Sequence, residues 1–271
     1  MKAIVWVERT NCNNKCPYCI VYHKDIPQAP VTWQDWVAKL NYLKPAVLDI
    51  TGGEPFLNPN MVDIIKTLNP GINLGITTNC TQDLTRFINE IPSRRILSMT
   101  LSYHPSQKYT KEAFLGKALM LKNRGFPINI NFVAYPEQLW LIAELKSYFE
   151  GTHGIRFHVD PYSINPLYPY TLDQREVDFL RKFTDKDREY RFKENKSNKV
   201  KCSAGHDYLL LQPNGEVFRC MTLVWKEAGS IGNIFDLNFK IHETPQLCEN
   251  FISCAGCDMD KVTIEAIDDK T

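Results

Sequence analysis

The sequence predicts an α/β fold: a partial (β/α)6 barrel followed by a small C-terminal unit made of a β-hairpin plus a helix. Two observations lead there. Through the first ~160 residues, short β-branched and aromatic runs alternate with stretches of helical period, and regular strand–helix alternation builds a parallel sheet with right-handed crossovers. The residues able to do chemistry fall at the C-terminal ends of the expected strands, where barrels of this kind place their sites.

The expected strands are residues 3–8, 47–51, 73–78, 96–103, 128–134 and 155–160. Each is a short apolar run bounded by Gly, Pro, Asn or charged residues. The expected helices are residues 32–43, 60–68, 84–91, 108–123 and 137–149. Thr32 stands before Trp33 as an N-cap, and Gly125 follows the fourth helix as a stop. Residues 1–172 are read as the barrel, 173–201 as a charged linker or helix, and 202–271 as the second unit.

The chain has 271 residues, 44% of them hydrophobic, enough to bury a core. Its 32 basic and 31 acidic residues give a net charge of +1, so no polyanion-binding or membrane surface is implied. No apolar run approaches the ~20 residues of a membrane span, and the first eight residues read as a strand rather than a signal peptide. A cytoplasmic location is expected. Nine cysteines in a reducing compartment point to metal or redox use rather than disulfides.

Cys12, Cys16 and Cys19 follow the first strand with C-x3-C-x2-C spacing. Three thiolates can hold an iron–sulfur cluster and leave one iron open. Zinc is the alternative, with His23 as a possible fourth ligand. Tyr18, next to the third cysteine, is an aromatic surface for a purine. Gly52-Gly53-Glu54-Pro55 ends the second strand, and its glycines permit close backbone approach. Thr77-Thr78-Asn79 ends the third strand, and Ser102 and His104 end the fourth. Asn131, His158 and Asp160 lie on the fifth and sixth.

The cysteine triplet in register with Gly-Gly-Glu-Pro resembles the radical S-adenosylmethionine (SAM) superfamily. The resemblance implies one 4Fe-4S cluster on Cys12, Cys16 and Cys19, with SAM chelating the open iron. It implies that Tyr18 packs by the adenine and that Gly52, Gly53, Glu54 and Pro55 meet the methionine amino group. It further implies that Thr78, Asn79, Ser102, Asn131 and His158 serve the carboxylate and ribose.

In the second unit, Asn214-Gly215 predicts a hairpin turn that brings Cys202 and Cys220 to one end of the ribbon. A helix is expected from about residue 237 to Leu247, and Cys254 and Cys257 follow. Four thiolates suit zinc or an Fe–S cluster equally by spacing. The pattern resembles the twitch (short SPASM) subgroup, in particular the twitch dehydrogenases of the 2-deoxy-scyllo-inosamine type. That resemblance implies one auxiliary 4Fe-4S cluster held by Cys202, Cys220, Cys254 and Cys257. Cys80 and Cys248 are left over, each either a packed thiol or a hydrogen donor, and Cys248 is also an alternative cluster ligand.

The resemblance implies reductive cleavage of SAM to a 5′-deoxyadenosyl radical and hydrogen abstraction from substrate. Electrons would come from a donor such as flavodoxin or ferredoxin. Oxidation of a small polar metabolite, such as a sugar or aminocyclitol, is the expected outcome, because no leader-binding domain precedes the first strand. His104, Arg156, His158 and Asp160 are candidate bases by position. Epimerisation or peptide modification with Cys80 or Cys248 as hydrogen donor, and a non-catalytic zinc scaffold, are the alternatives.

Overall fold

The computed structural model describes residues 1–19, 26–105, 109–162, 172–185, 199–226, 228–248 and 262–266. The first part runs β1 (Ala3–Val7), α1 (Trp33–Leu43), β2 (Val47–Thr51), α2 (Met61–Thr67), β3 (Asn73–Thr78), α3 (Thr85–Glu90), β4 (Ile96–Ser102), α4 (Lys111–Asn123), β5 (Ile128–Ala134), α5 (Ile142–Lys146) and β6 (Phe157–Pro161). Strands β1 to β6 pair in parallel in sequence order. Every expected strand is present, with ends within two residues of expectation.

Alternation decides which side chains go where. Ile4, Trp6, Leu48, Ile50, Leu74, Ile76, Met99, Leu101, Ile130 and Phe132 are almost wholly buried and belong to one core cluster with the helices. The intervening residues face the other way. From β2 to β6 these are largely polar: Asp49, Thr51, Thr77, Ser98, Thr100, Ser102, Asn129, Asn131, His158 and Asp160. A sheet with one oily face under helices and one polar face is an open half-barrel with a ready-made site surface.

Local chemistry sets the helix ends. Thr32 caps α1 in a reciprocal capping box with Asp35, whose carboxyl is held below its usual range by the Thr32 hydrogen bonds. The helix stops at Lys44, which turns left-handed with φ 43°. The single helix expected over 137–149 is instead three pieces: a 3-10 segment at Pro136–Leu141, α5, and a π-turn at Ser147–Thr152. The wider π-turn lets fully buried Phe149 stack on Phe157, with ring centroids 5.8 Å apart.

After β6 come α6 (Gln174–Arg181), β7 (Val200–Cys202), β8 (Tyr208–Leu211), β9 (Glu216–Phe218), α7 (Met221–Trp225), β10 (Ser230–Asn233), β11 (Gln246–Cys248) and β12 (Ile264–Ala266). The β8–β9 hairpin forms as expected, with Gly215 at φ 84° in its turn. It does not stand apart: β8 pairs in parallel with β1, giving a nine-stranded sheet of order β10-β9-β8-β1-β2-β3-β4-β5-β6. A second sheet has the order β11-β7-β12.

The helix expected to reach Leu247 is absent. The helical turn comes earlier, as α7 directly after Cys220. Residues 230–233 and 246–248 are strands. Pro245 falls inside the expected span, where it supplies no backbone N–H and disfavours the helical conformation for Thr244. No helix among the described residues is long and apolar enough to cross a membrane.

Candidate functional site

The cysteine loop leaves β1 and is tied at once to the loop after β2. Gly53 N–H donates to Arg9 O at 2.7 Å, and Glu54 N–H donates to Asn11 O at 3.1 Å. Such contact leaves no room for side chains. A Cβ on Gly52 would sit 2.4 Å from Arg9 O, and one on Gly53 would sit 2.0 Å from Asn11 O. The two glycines are therefore required by the neighbouring loop itself. A second tie runs through buried Glu8, which accepts from the Arg9 guanidinium and from Asn58 Nδ2 at 2.7 Å. Neither tie is visible as a motif.

Glu54 binds the protein's own donors. Its fully buried carboxyl accepts from Phe56 N–H at 3.0 Å, Thr78 Oγ1 at 2.8 Å and Asn79 N–H at 2.7 Å. Burial pushes its pKa up, against the pull of those donors and of Arg9. The carboxyl thus brackets the ends of β2 and β3, and Pro55 starts the 3-10 turn that follows. Asn79 extends the bracket to the cysteines: its Nδ2 donates to Cys12 Sγ at 3.5 Å and to Asn13 Oδ1 at 2.9 Å. Asn13 returns a bond to Thr81 Oγ1 at 2.7 Å. Asn13 carries no spacing signal in the sequence, being a lone Asn in a loop.

Tyr18 is buried against Cys16, Tyr135 and Tyr162. Its hydroxyl lies 2.9 Å from His104 Nδ1. Burial pushes the His104 imidazole down to about 4, so the ring paired with the phenol is neutral at neutral pH. Tyr18 therefore stands in an aromatic cluster, its ring 5.1 Å from that of Tyr135, rather than presenting an open face.

Ser102, Asn131 and His158 are register partners across β4, β5 and β6, one polar row of the inner face. Asn131 Oδ1 is buried with no hydrogen-bond partner among the described residues. His158 is buried and has Nδ1 against the carboxylate of Asp185, which also pairs with Arg156 at 3.2 Å. Asp185 lies beyond α6 in a stretch read as linker, so its approach to β6 is a long-range event that local pattern does not encode. Arg156 is 58% exposed on the flank, an exposure that does not suit the role of a buried base.

The leftover cysteines separate. Cys80 is fully buried in the helix-side core, with its thiol pushed up to about 12 by burial. It is on the wrong side of the sheet for a hydrogen donor to the polar face. Cys248 ends β11, partly buried. Cys202 and Cys220 pack against the same small cluster of Ala3, Val5, Ala204 and Tyr208, at the start of β1. The triplet lies beyond the opposite end of β1, roughly one strand length, on the order of 17–20 Å, away. His23, Cys254 and Cys257 lie outside the described residues.

Among the described residues, no three His, Cys, Asp or Glu side chains converge in a ready-made metal site. The triplet nonetheless has the right donor set for a cluster. Burial pushes Cys16 up to about 12 and raises Cys12, and in both the charges of neighbouring thiols add to the effect. Three thiolates on one loop are stable together only against a strong positive charge, such as bound iron supplies. The unsatisfied Asn131 Oδ1 similarly fits a hydroxyl-bearing cofactor such as SAM.

Residues 10–140 match the family described as the Radical SAM superfamily. The matched span, a little under half of the chain, contains the triplet, Gly-Gly-Glu-Pro and strands β2 to β5. No curated protein matches the sequence. Among solved structures, Streptococcus suis SuiB bound to S-adenosylmethionine superposes with a TM-score of 0.65 at 16% identity, covering 88% of this chain and 64% of SuiB. The chain therefore spans less than two thirds of SuiB. SuiB has also been solved with its precursor peptide SuiA. Native anSMEcpe with bound AdoMet superposes with a TM-score of 0.61 at 16% identity, covering 89% of this chain and 81% of that one. These likenesses show the fold.

Proposed function

We propose that this chain is a radical SAM enzyme. Cys12, Cys16 and Cys19 would hold a 4Fe-4S cluster, and the polar face of β3 to β6 would hold SAM. When bound, that pair supplies reductive cleavage of SAM and abstraction of a hydrogen atom from substrate. The observation that carries the reading is the bracket at the triplet: backbone bonds from Gly53 and Glu54 to the cysteine loop, and the Asn79 amide on Cys12. This construction holds one loop of thiols rigidly beside a polar sheet face, inside the span that matches the family.

Around the cluster, each residue keeps a defined task. Asn131 offers its free acceptor to a ribose hydroxyl. His158, held through Nδ1 against Asp185, would be the base for an oxidised substrate. Cys202, Cys220, Cys254 and Cys257 would hold an auxiliary 4Fe-4S cluster as electron acceptor in a twitch-like unit spanning 202–271. The product would be an oxidised small polar metabolite. A second reading, peptide modification, is supported by the peptide complexes of the two structural relatives.

The test is iron, sulfide and zinc per chain after anaerobic reconstitution, with 5′-deoxyadenosine measured after adding SAM and dithionite. Wild type is expected to form 5′-deoxyadenosine. The Cys12/Cys16/Cys19→Ala variant is expected to form none yet retain about four irons, one cluster's worth. Zinc in place of iron in wild type, with no 5′-deoxyadenosine, overturns the enzyme reading. Loss of all iron in the variant removes the auxiliary cluster and the oxidative outcome with it.

A further inference from the structure

A cavity of about 420 Å³ opens on the inner face of the extended sheet, beside the cysteine loop. It is within the usual size of a small-ligand site. Its floor is the end of the β8–β9 hairpin. Gln212 N–H donates to Glu216 O at 2.8 Å, so the two residues face each other across the turn. Both share the inward parity of Leu210 and Phe218 on the same strands. Phe218, Val224 and Ile26 give apolar walls, and Ser230 adds a hydroxyl.

Two side chains in this cavity are unaccounted for. Gln212 is 4% exposed, yet neither its amide nor the Glu216 carboxylate has a hydrogen-bond or ion-pair partner among the described residues. The Gln212 amide opens onto the cavity, where it can meet a ligand, and a carboxylate in a part-apolar cavity gains most from a cation. Among the described residues, no Lys or Arg lines the cavity. One anion, one amide and an aromatic wall together match a protonated amine on an aliphatic stem.

The cavity also has the right address. Its wall residue Ile26 accepts a hydrogen bond through its carbonyl from Thr10 Oγ1 at 3.3 Å, two residues before Cys12. Ala29 N–H donates to Pro213 O at 2.8 Å, closing the segment onto the hairpin tip. A ligand seated on Gln212 and Glu216 would extend from there toward the cysteine loop.

We infer that Gln212 and Glu216 form a substrate subsite for a protonated primary amine, carried either by a lysine side chain of a peptide or by an amino sugar or aminocyclitol. Only the word substrate rests on the radical SAM reading; the amine site itself does not.

Binding is measured by calorimetry on the full reconstituted chain with SAM, without turnover. The probes are Nα-acetyl-lysine methylamide, 2-deoxystreptamine and the uncharged Nα-acetyl-norleucine methylamide. At least one amine probe is expected to bind saturably, about tenfold or more above the uncharged probe, the size of one charge-assisted hydrogen bond. Which amine binds identifies the source. E216Q should abolish that preference and E216D should restore part of it, with both variants matching wild type in melting midpoint and iron content. Q212M, of similar volume, should weaken the amine probe as well. Equal binding of charged and uncharged probes, or an undiminished preference in E216Q, overturns the inference. Since no SAM cleavage is read, its failure is distinct from failure of the enzyme reading.

Discussion

Asn79 Nδ2 donates to the Cys12 sulfur at 3.5 Å while the backbone N–H of the same residue is fixed 2.7 Å from Glu54 Oε2. One residue thus couples the Gly-Gly-Glu-Pro loop to a thiol that we read as a cluster ligand. Hydrogen bonds to cluster sulfurs raise reduction potential, and partners behind a ligand affect metal retention. Asn79→Ala should shift the cluster to a more negative potential and cut iron retention by about tenfold or more. Redox titration followed by electron paramagnetic resonance, with iron analysis after gel filtration, checks both.

Gly53→Ala should be among the most damaging single substitutions. Its Cβ would meet the backbone oxygen of Asn11 at 2.0 Å, and backbone there has nowhere to go. The expected loss is about 2–3 kcal/mol of stability, together with the cluster. Gly75→Ala is the control. Its Cβ would meet side-chain atoms, chiefly Asp49 Oδ1 at 1.9 Å and then Ser98 Oγ at 3.3 Å, and side chains can rotate away. Urea melts of the two variants side by side should rank them in that order; a milder G53A than G75A would show that the two loops are not rigidly joined.

The His104 imidazole, pushed down to about 4 from its ordinary 6.5 by burial, makes stability depend on pH. Between those values the unfolded chain holds more protons than the folded one, so stability rises with pH and is lost on acidification. Protonation puts an N–H on both ring nitrogens, so Nδ1 can then only donate to the Tyr18 oxygen. His104→Gln, which keeps an acceptor without titrating, should flatten the fall in urea midpoint between pH 6.5 and 4.

Cys80→Ala should leave iron content and 5′-deoxyadenosine formation at wild-type levels. Its thiol is sealed in the core, so the expected cost is a small cavity of about 1–2 kcal/mol. Loss of turnover in C80A, with stability otherwise preserved, would reinstate it as a hydrogen donor.

Much of this was legible because the signals are local. Six apolar runs, the Thr32 cap and the Asn214-Gly215 turn are short-range patterns, and the structure has them where the pattern puts them. The triplet and Gly-Gly-Glu-Pro carry their own spacing. What escaped was mostly long-range. The pairing of β8 with β1 joins residues some two hundred positions apart, and no window of sequence contains both. Asp185 reaches His158 in the same way. The missing helix before Leu247 is the opposite case: Pro245 stands inside the expected span and is a local signal against it.

The pairing of β8 with β1 bears on how this protein can be dissected. A fragment ending at residue 199 would keep every residue of the barrel yet lose β8, leaving the Ala3–Val7 strand with one neighbour instead of two. Its exposed row of N–H and C=O groups, along a run of Ala, Ile, Val and Trp, is the kind of edge that recruits other chains into aggregates. The triplet hangs directly from that strand. Expressing the barrel alone to study its cofactor would therefore sacrifice solubility and the site together.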